Sequence, residues 1–246
     1  MINESLPPGT PVFLLMDAPR AYCHAALTDW WQSALAERLV DTLRVASVYS
    51  AAPLFEARAE WPEDTVLGLR YRLRQAHAGE WCVHEIRAML GSRLIHASPR
   101  WQLNAWPNPW ETPSGLDDNL ASRWRTWEPM RPGMFFEALF DRPQRVTSAT
   151  LLSHTPVYGT PIELYTRSLD GNWRLRSDAV PASPRSGENL RRAAMRVIKS
   201  HGFDYLAAPA EYEGAFNVGL DLKARPAEWG IEKINERGFV TLYKIP

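Results

Sequence analysis

Neither sign of charge prevails in this chain: Lys plus Arg and Asp plus Glu each number 28 in 246 residues. No overall field draws the chain to nucleic acid or anionic lipid, and no block of like charge forms a tail, so nucleic acid is not an expected partner. Cysteine is scarce. The two that occur, Cys23 and Cys82, match neither a metal-ligand spacing nor a disulfide framework. No apolar run approaches the ~20 residues that span a bilayer, and residues 1–8 carry neither the basic start nor the apolar stretch of a signal peptide. Two expectations follow: a cytoplasmic chain, or one cut from a longer protein, whose Met1 is then not the native start.

Catalytic signatures are missing as well. The chain contains no Gly-x-Ser-x-Gly, Gly-rich phosphate loop, His-Glu-x-x-His or Cys-x-x-Cys, and its histidines are scattered singly. His84 and Glu85 fall on opposite faces of an expected strand and so do not act together directly. Glu211 and Glu213 remain as a candidate carboxylate pair, because glycosidase carboxylates need not be close in sequence. A carbohydrate hydrolase is the third expectation, behind two non-catalytic ones.

Tryptophan is what the chain has in excess, and seven of the 11 lie between residues 81 and 173. Prolines cluster there too. Residues 106–113, Trp-Pro-Asn-Pro-Trp-Glu-Thr-Pro, exclude both helix and central strand, since Pro lacks the ladder donor and restricts its predecessor. Around this rigid loop lie short strand-like runs at 66–73, 81–90, 134–140, 146–153, 162–167 and 173–176, separated by Gly, Pro and Asp turns. Such a pattern predicts an antiparallel β-sandwich.

The two ends read differently. Residues 11–16 form an apolar strand, Thr28 and Asp29 cap an expected helix carrying Trp31, Leu35 and Leu39, and 43–49 suggest another strand. Residues 188–201 form an amphipathic helix with Arg191, Arg192, Arg196 and Lys199 mostly off its apolar face, stopped by Gly202. A buried strand at 203–208 and a closing hairpin at 230–245 follow. Neither end holds enough strands for a stable layer. The expected fold class is therefore α+β: a β-sandwich at 56–183 inserted into a small α/β unit made of 1–55 and 184–246.

Two turns carry a family resemblance. Asp117-Asp118-Asn119-Leu120-Ala121-Ser122-Arg123-Trp124 is similar to an Asp-Gly-Asn-x-x-Thr-x-Trp turn, and Ser168-Leu169-Asp170-Gly171-Asn172-Trp173 to a Ser-x-Asp-Gly-x-Trp turn. Residues 64–180 thereby resemble the discoidin or coagulation factor C-type family, which has the galactose-binding-like jelly-roll fold. The resemblance implies a structural calcium ion on Asp117 and Ser122, with backbone carbonyls near Asn119. The turn alone offers fewer than the six to eight oxygens calcium prefers, and the alternative is that Asp117 caps its own backbone. Asp118 stands where the family has Gly, which puts a positive φ there in question. Trp124, Trp173, Trp81 and Trp101 are expected in the core.

The chain ends, residues 3–15 and 227–245, resemble the extracytoplasmic C-terminal part of multi-pass bacterial glycosyltransferases of the polyprenyl-phosphate-mannose type. That resemblance implies an extracytoplasmic location, periplasmic or at the cell surface, and a membrane-embedded remainder as partner.

A hairpin through Asp141-Arg142-Pro143-Gln144 would bring residues 125–133 and 154–161 to one rim. These segments carry Arg125, Trp127, Glu128, Arg131, His154 and Tyr158. Sugar recognition asks for an aromatic plate and a few polar partners for hydroxyls: Trp127 or Tyr158 would be the plate and the other four the partners, while the end of the sheet at which the Trp106–Trp110 loop lies is not fixed by the sequence. The leading expectation is a non-catalytic module that holds a glycan or lipid-linked sugar. Its rivals are a structural module, with Trp127 and Tyr158 packed on the proline loops, and a docking surface, since Trp, Tyr and Arg also anchor protein interfaces.

Overall fold

A computed structural model describes residues 1–17, 22–50, 54–154, 160–185, 189–209 and 218–246. The chain divides into two compact units, Met1–Ala51 with Glu188–Pro246, and Ala52–Gly187. Strands and helices are numbered here in chain order.

The terminal unit is built on a five-stranded sheet in the order β14-β15-β13-β1-β2. Strands β1 (Pro11–Leu14), β2 (Ala26–Asp29) and β13 (Tyr205–Pro209) run parallel, and the hairpin of β14 (Glu232–Arg237) and β15 (Val240–Lys244) adds two antiparallel strands. Val12, Phe13 and Leu14 are all buried, as a strand covered on both faces requires. Helices α1 (Ile2–Ser5), α2 (Ala34–Tyr49), α3 (Leu190–Ser200), α4 (Val218–Ala224) and α5 (Pro226–Trp229) complete it.

Two expectations are corrected here. Thr28 and Asp29 end a strand rather than cap a helix, and the cap is Ser33, whose hydroxyl accepts from the Ala36 amide. Residues 43–49 continue α2: Ala36, Leu39, Val40, Leu43 and Ala46 are buried at spacings of three and four. Helix α3 is capped by Asn189, but Arg191 lies buried at 8% exposure instead of facing water.

The central unit is mostly antiparallel sheet, so the molecule is α+β. Two very long strands dominate it: β3 (Leu54–Leu73, 20 residues) and β9 (Phe135–Ser153, 19 residues), antiparallel to each other. Each changes partner along its length. β3 pairs first with β12 (Ala182–Arg185) and then with β10 (Ile162–Arg167), which carries β11 (Trp173–Ser177) beyond it. β9 pairs first with β7 (Gln102–Trp106) and then with β5 (Glu85–Leu90), which carries β6 (Arg93–Ile95). A separate two-stranded sheet holds β4 (His77–Val83) and β8 (Trp124–Met130).

Alternation sorts the faces. Leu69, Tyr71 and Leu73 point inward with Phe136 and Ala138, while Arg70 and Arg72 face out and pair with Glu137 and Glu163. Trp81, Trp124 and Phe136 form the aromatic centre of one buried cluster that draws on both halves of the long strands, with ring centroids 5.4 and 5.3 Å apart. Trp101 joins it. Trp173 does not: it is half-buried on the outer face, with the Arg70 guanidinium 4.1 Å over its ring.

The expected hairpin at 141–144 does not form. The ladder passes from Gly68↔Leu139 to Val66↔Gln144, so residues 140–143 bulge without β3 partners. Pro143 needs no ladder donor there, and the strand runs on. The run at 81–90 is likewise two strands in different sheets, broken at His84.

Candidate functional site

Trp127 is an exposed side chain of the central unit held on an unusual backbone. Its backbone has φ = +59°, a left-handed conformation that costs a bulky residue on the order of 1–3 kcal/mol. The flip throws the indole outward, 57% exposed, between Thr126, whose hydroxyl is held by the Glu128 carbonyl, and Glu128 itself. The Arg125 guanidinium lies 3.6 Å over one face of the ring, and the indole N–H donates to Glu111 at 3.0 Å. One face is backed and the other is open.

Glu111 is the hub. It also accepts from Arg125 at 3.2 Å and from the Asn108 amide at 3.2 Å. Asn108, 4% exposed, stitches the Trp106–Glu111 loop to β8: it donates to the Arg125 carbonyl, accepts from the Trp110 amide, and its carbonyl receives the Trp124 indole N–H. The loop therefore presents Trp106 (42% exposed) and Trp110 (78%) from a fixed position. Arg131 sits 5.7 Å from the Trp106 ring and is paired with Glu128 at 2.5 Å.

Of the expected ligand residues, Arg125, Trp127, Glu128 and Arg131 come together with this loop. His154 does not join them. Because β9 is continuous, residues 125–133 lead into its start and His154 leaves its far end, so the expectation of two loops meeting on one rim through a hairpin is overturned. Tyr158 lies outside the described residues, as do Glu211 and Glu213.

His154 is instead 2% exposed, in a buried hydrogen-bonded row. Its Nδ1 meets His84 Nε2 at 2.6 Å, its Nε2 meets Arg123 Nη1 at 3.3 Å, and His84 Nδ1 reaches the Leu120 carbonyl at 2.8 Å. One proton arrangement satisfies the row: Arg123 donates to His154, His154 Nδ1–H to His84, and His84 Nδ1–H to Leu120, both rings neutral. Burial, then the adjacent His84 and Arg123, push His154 down to about 2. An unfolded His takes a proton below about pH 6.5 and the folded one does not, so this stabilisation is full above pH 6.5 and declines by about 1.4 kcal/mol per unit as pH falls toward 2. We expect His154→Asn to cost about 1–3 kcal/mol at pH 7.5 by leaving buried groups unpaired. The gap to wild type should narrow in urea titrations between pH 6.5 and 4, and a constant gap would contradict the neutral row.

Leu120 belongs to the acidic turn. Asp117 accepts from the Asn119 amide at 3.0 Å and from Ser122 Oγ at 2.6 Å, and Ser122 Oγ lies 2.8 Å from the Asn119 carbonyl. Asp118 has φ = +56°, a conformation Asp tolerates, so the missing glycine does not prevent the turn. Beside it Glu85 is 4% exposed and its Oε2 is buried without a hydrogen bond. Burial, together with the charge of Asp117, raises Glu85 to about 8, and burial raises Asp117 to about 6. Both line a cleft of about 220 Å³, with Asp118 and Arg87 on its polar side and Trp101 and Ile95 on its apolar side.

The donors fit a hard cation in kind. Asp117, Ser122, the Asn119 carbonyl and Glu85 are all oxygens, and an orphaned buried carboxylate oxygen is what a cation would satisfy. Among the described residues no three His, Cys, Asp or Glu form a metal-holding group, so such an ion would rest on hydroxyl, carbonyl and water as much as on charge.

The chain matches no protein-family model, no curated protein and no solved structure. Sequence reasoning missed Glu111, Asn108 and the burial of Glu85, because the partners that tie each of them to the site, Arg125 for the first two and Asp117 for Glu85, lie 14 or more positions away. The one available signal was an acidic residue directly following the second Trp of a proline loop.

Proposed function

We propose that the central unit is a non-catalytic carbohydrate-recognition module of the galactose-binding-like, jelly-roll kind, with the Trp127 surface as its binding site. The observation that carries this reading is Trp127 itself: an exposed indole held in a costly backbone conformation, backed by Arg125 and anchored through Glu111. Strain of this kind persists where surrounding structure enforces it, and ligand clamps are such places. The open indole face would take the apolar face of a sugar ring, and the Arg131–Glu128 pair would exchange hydrogen bonds with hydroxyls. Because the plate and its supports are already in place, little ordering entropy is lost on binding.

The galactose-binding-like assignment is supported by the antiparallel sheets, by the Asp117–Ser122 turn with its left-handed Asp118, and by the Ser168–Trp173 turn. The latter forms the β10–β11 hairpin, with Gly171 at φ = +84°. The terminal unit would then belong to the extracytoplasmic part of a glycosyltransferase, whose lipid-linked sugar or polymer acceptor the module holds. No helix among the described residues is long and apolar enough to cross a membrane. A glycan array probed with the whole chain tests the reading: retention of one glycan class that is lost in a Trp127 variant supports it, and retention of none sinks it.

The same reading includes a structural calcium ion on Asp117, Ser122, the Asn119 carbonyl and Glu85, supported by the orphaned oxygen of Glu85. When bound, it would neutralise the paired carboxylates and lock the turn; it has no part in the sugar contact. Millimolar CaCl₂ is expected to raise the melting temperature of wild type, by about 2.7 kcal/mol of added stability at a hundredfold excess over Kd. Asp117→Asn should abolish the rise. An equal rise in the variant, or none in wild type, removes the ion from the account.

A further inference from the structure

The charges around the three exposed indoles are closed upon themselves, and this sets what the surface accepts. Arg125, against the face of Trp127, is paired with Glu111 at 3.2 Å, and both side chains are nearly buried, 10% and 15% exposed. Arg131, next to Trp106, is paired with Glu128 at 2.5 Å. Each of these two ion pairs is neutral in itself, so neither arginine offers an uncompensated positive charge to a ligand. Trp106, Trp110 and Trp127 nevertheless expose 42%, 78% and 57% of their surface.

From this we infer that the ligand is a neutral oligosaccharide, spanning more than one indole; the inference rests on the recognition reading above. An anionic glycan would place its carboxylate near Glu111 or Glu128, or would have to break an existing ion pair to reach an arginine, and either costs more than it returns. A neutral hexopyranose pays neither cost. Its C–H face packs on an indole while its hydroxyls bond to the oxygens and N–H groups that the Arg131–Glu128 pair leaves outward, where the two side chains are 56% and 35% exposed. One ring covers one indole face, so a surface with three such faces on two stitched segments is built for a chain of sugars. The loop stitch through Asn108 keeps Trp110 and Trp127 in one frame before the ligand arrives.

Calorimetry with the whole chain tests this, using mannotetraose, cellotetraose and galactotetraose as neutral probes and tetragalacturonate as the charged one, in 50 and 500 mM NaCl. The expected result is that at least one neutral tetrasaccharide binds with a Kd that changes less than twofold between the two salts, at least tenfold tighter than tetragalacturonate. Glu128→Gln, a surface change that leaves the fold intact, frees Arg131. It should tighten tetragalacturonate at least tenfold at low salt, with the gain lost at high salt. Trp110→Ala should weaken the neutral tetrasaccharide at least tenfold. Tighter binding of tetragalacturonate by wild type, or neutral binding that collapses with salt, overturns the neutral ligand but leaves carbohydrate recognition standing. Unchanged affinity in Trp110→Ala overturns the multi-indole ligand. Failure of all four probes to bind sinks the recognition reading itself.

Discussion

Trp127→Gly is expected to abolish glycan binding while leaving the fold within about 1 kcal/mol of wild-type stability, because the losses and the relief nearly cancel. Removing the indole forfeits its stacking on Arg125, about 0.5–1 kcal/mol, and its hydrogen bond to Glu111, about 0.5–1.5 kcal/mol. Glycine also brings a larger unfolded-state entropy, about 0.5–1 kcal/mol. Against these stands release of the left-handed strain, roughly 1–2 kcal/mol. Trp127→Ala forfeits the same contacts and keeps the strain, so it should be less stable than Trp127→Gly by about 0.4–1 kcal/mol. Binding should fall at least thirtyfold in both, since truncating an aromatic anchor typically removes about 2 kcal/mol or more. Urea titration beside calorimetry separates the outcomes. An Ala variant more stable than the Gly variant by about 0.5–1 kcal/mol, the entropy difference alone, would mean the backbone holds no strain at Trp127, and the built plate would lose its basis.

The largest stability effect is expected in the terminal unit. Asp221, 7% exposed on α4, accepts from Arg191 Nε at 2.8 Å, from Arg191 Nη2 at 3.1 Å, from the Trp229 indole N–H at 2.9 Å, and from Arg225. Burial alone would push its carboxyl up, but the hydrogen bonds and charge of Arg191 and Arg225 outweigh it and hold Asp221 below the usual range. Its contribution is therefore present above the unfolded pKa near 3.9 and is lost as pH falls through the lower folded value. Asp221→Ala leaves a buried guanidinium with only the half-exposed Glu228, and should cost about 3–5 kcal/mol. Arg225→Ala removes the solvent-facing partner, 49% exposed, and should cost under about 1 kcal/mol. Replacing Arg191 by Met together with Asp221 by Leu should recover part of the loss, because no buried charge is then unpaired although the buried Trp229 indole N–H still lacks its acceptor. Equal costs for Asp221→Ala and Arg225→Ala would show that burial is not what makes this cluster matter.

The amphipathic character of α3 was legible, but its face only in part: of Leu190, Ala194, Val197 and His201, the first two are buried, Val197 is half-buried and His201 is exposed. The burial of Arg191 was not legible, because its partner is 30 residues away. The segment at 141–144 read as a turn for a sound local reason, a proline among polar residues. It became strand interior because β9 itself bulges at 140–143, opposite a single residue of β3, and nothing there asks a donor of Pro143. Trp127, Arg125, Glu128 and Arg131 were legible as site candidates from their chemistry on one proline-flanked segment. Their true neighbours, Glu111 and the Trp106–Trp110 loop, come from a stretch whose reach the sequence left open. His154 was misplaced with the hairpin.

What the sequence determined alone are the features set by local sterics and periodicity: strand-rich centre, mixed α/β ends, stiff Trp loops, tight Asp turns, a neutral charge balance. Tertiary structure decided which strand ends meet and which charges are buried, and so whether an exposed Trp has a backed face. Those outcomes depend on pairing across tens of residues, where register shifts and desolvation set the energies and no short window of sequence encodes them.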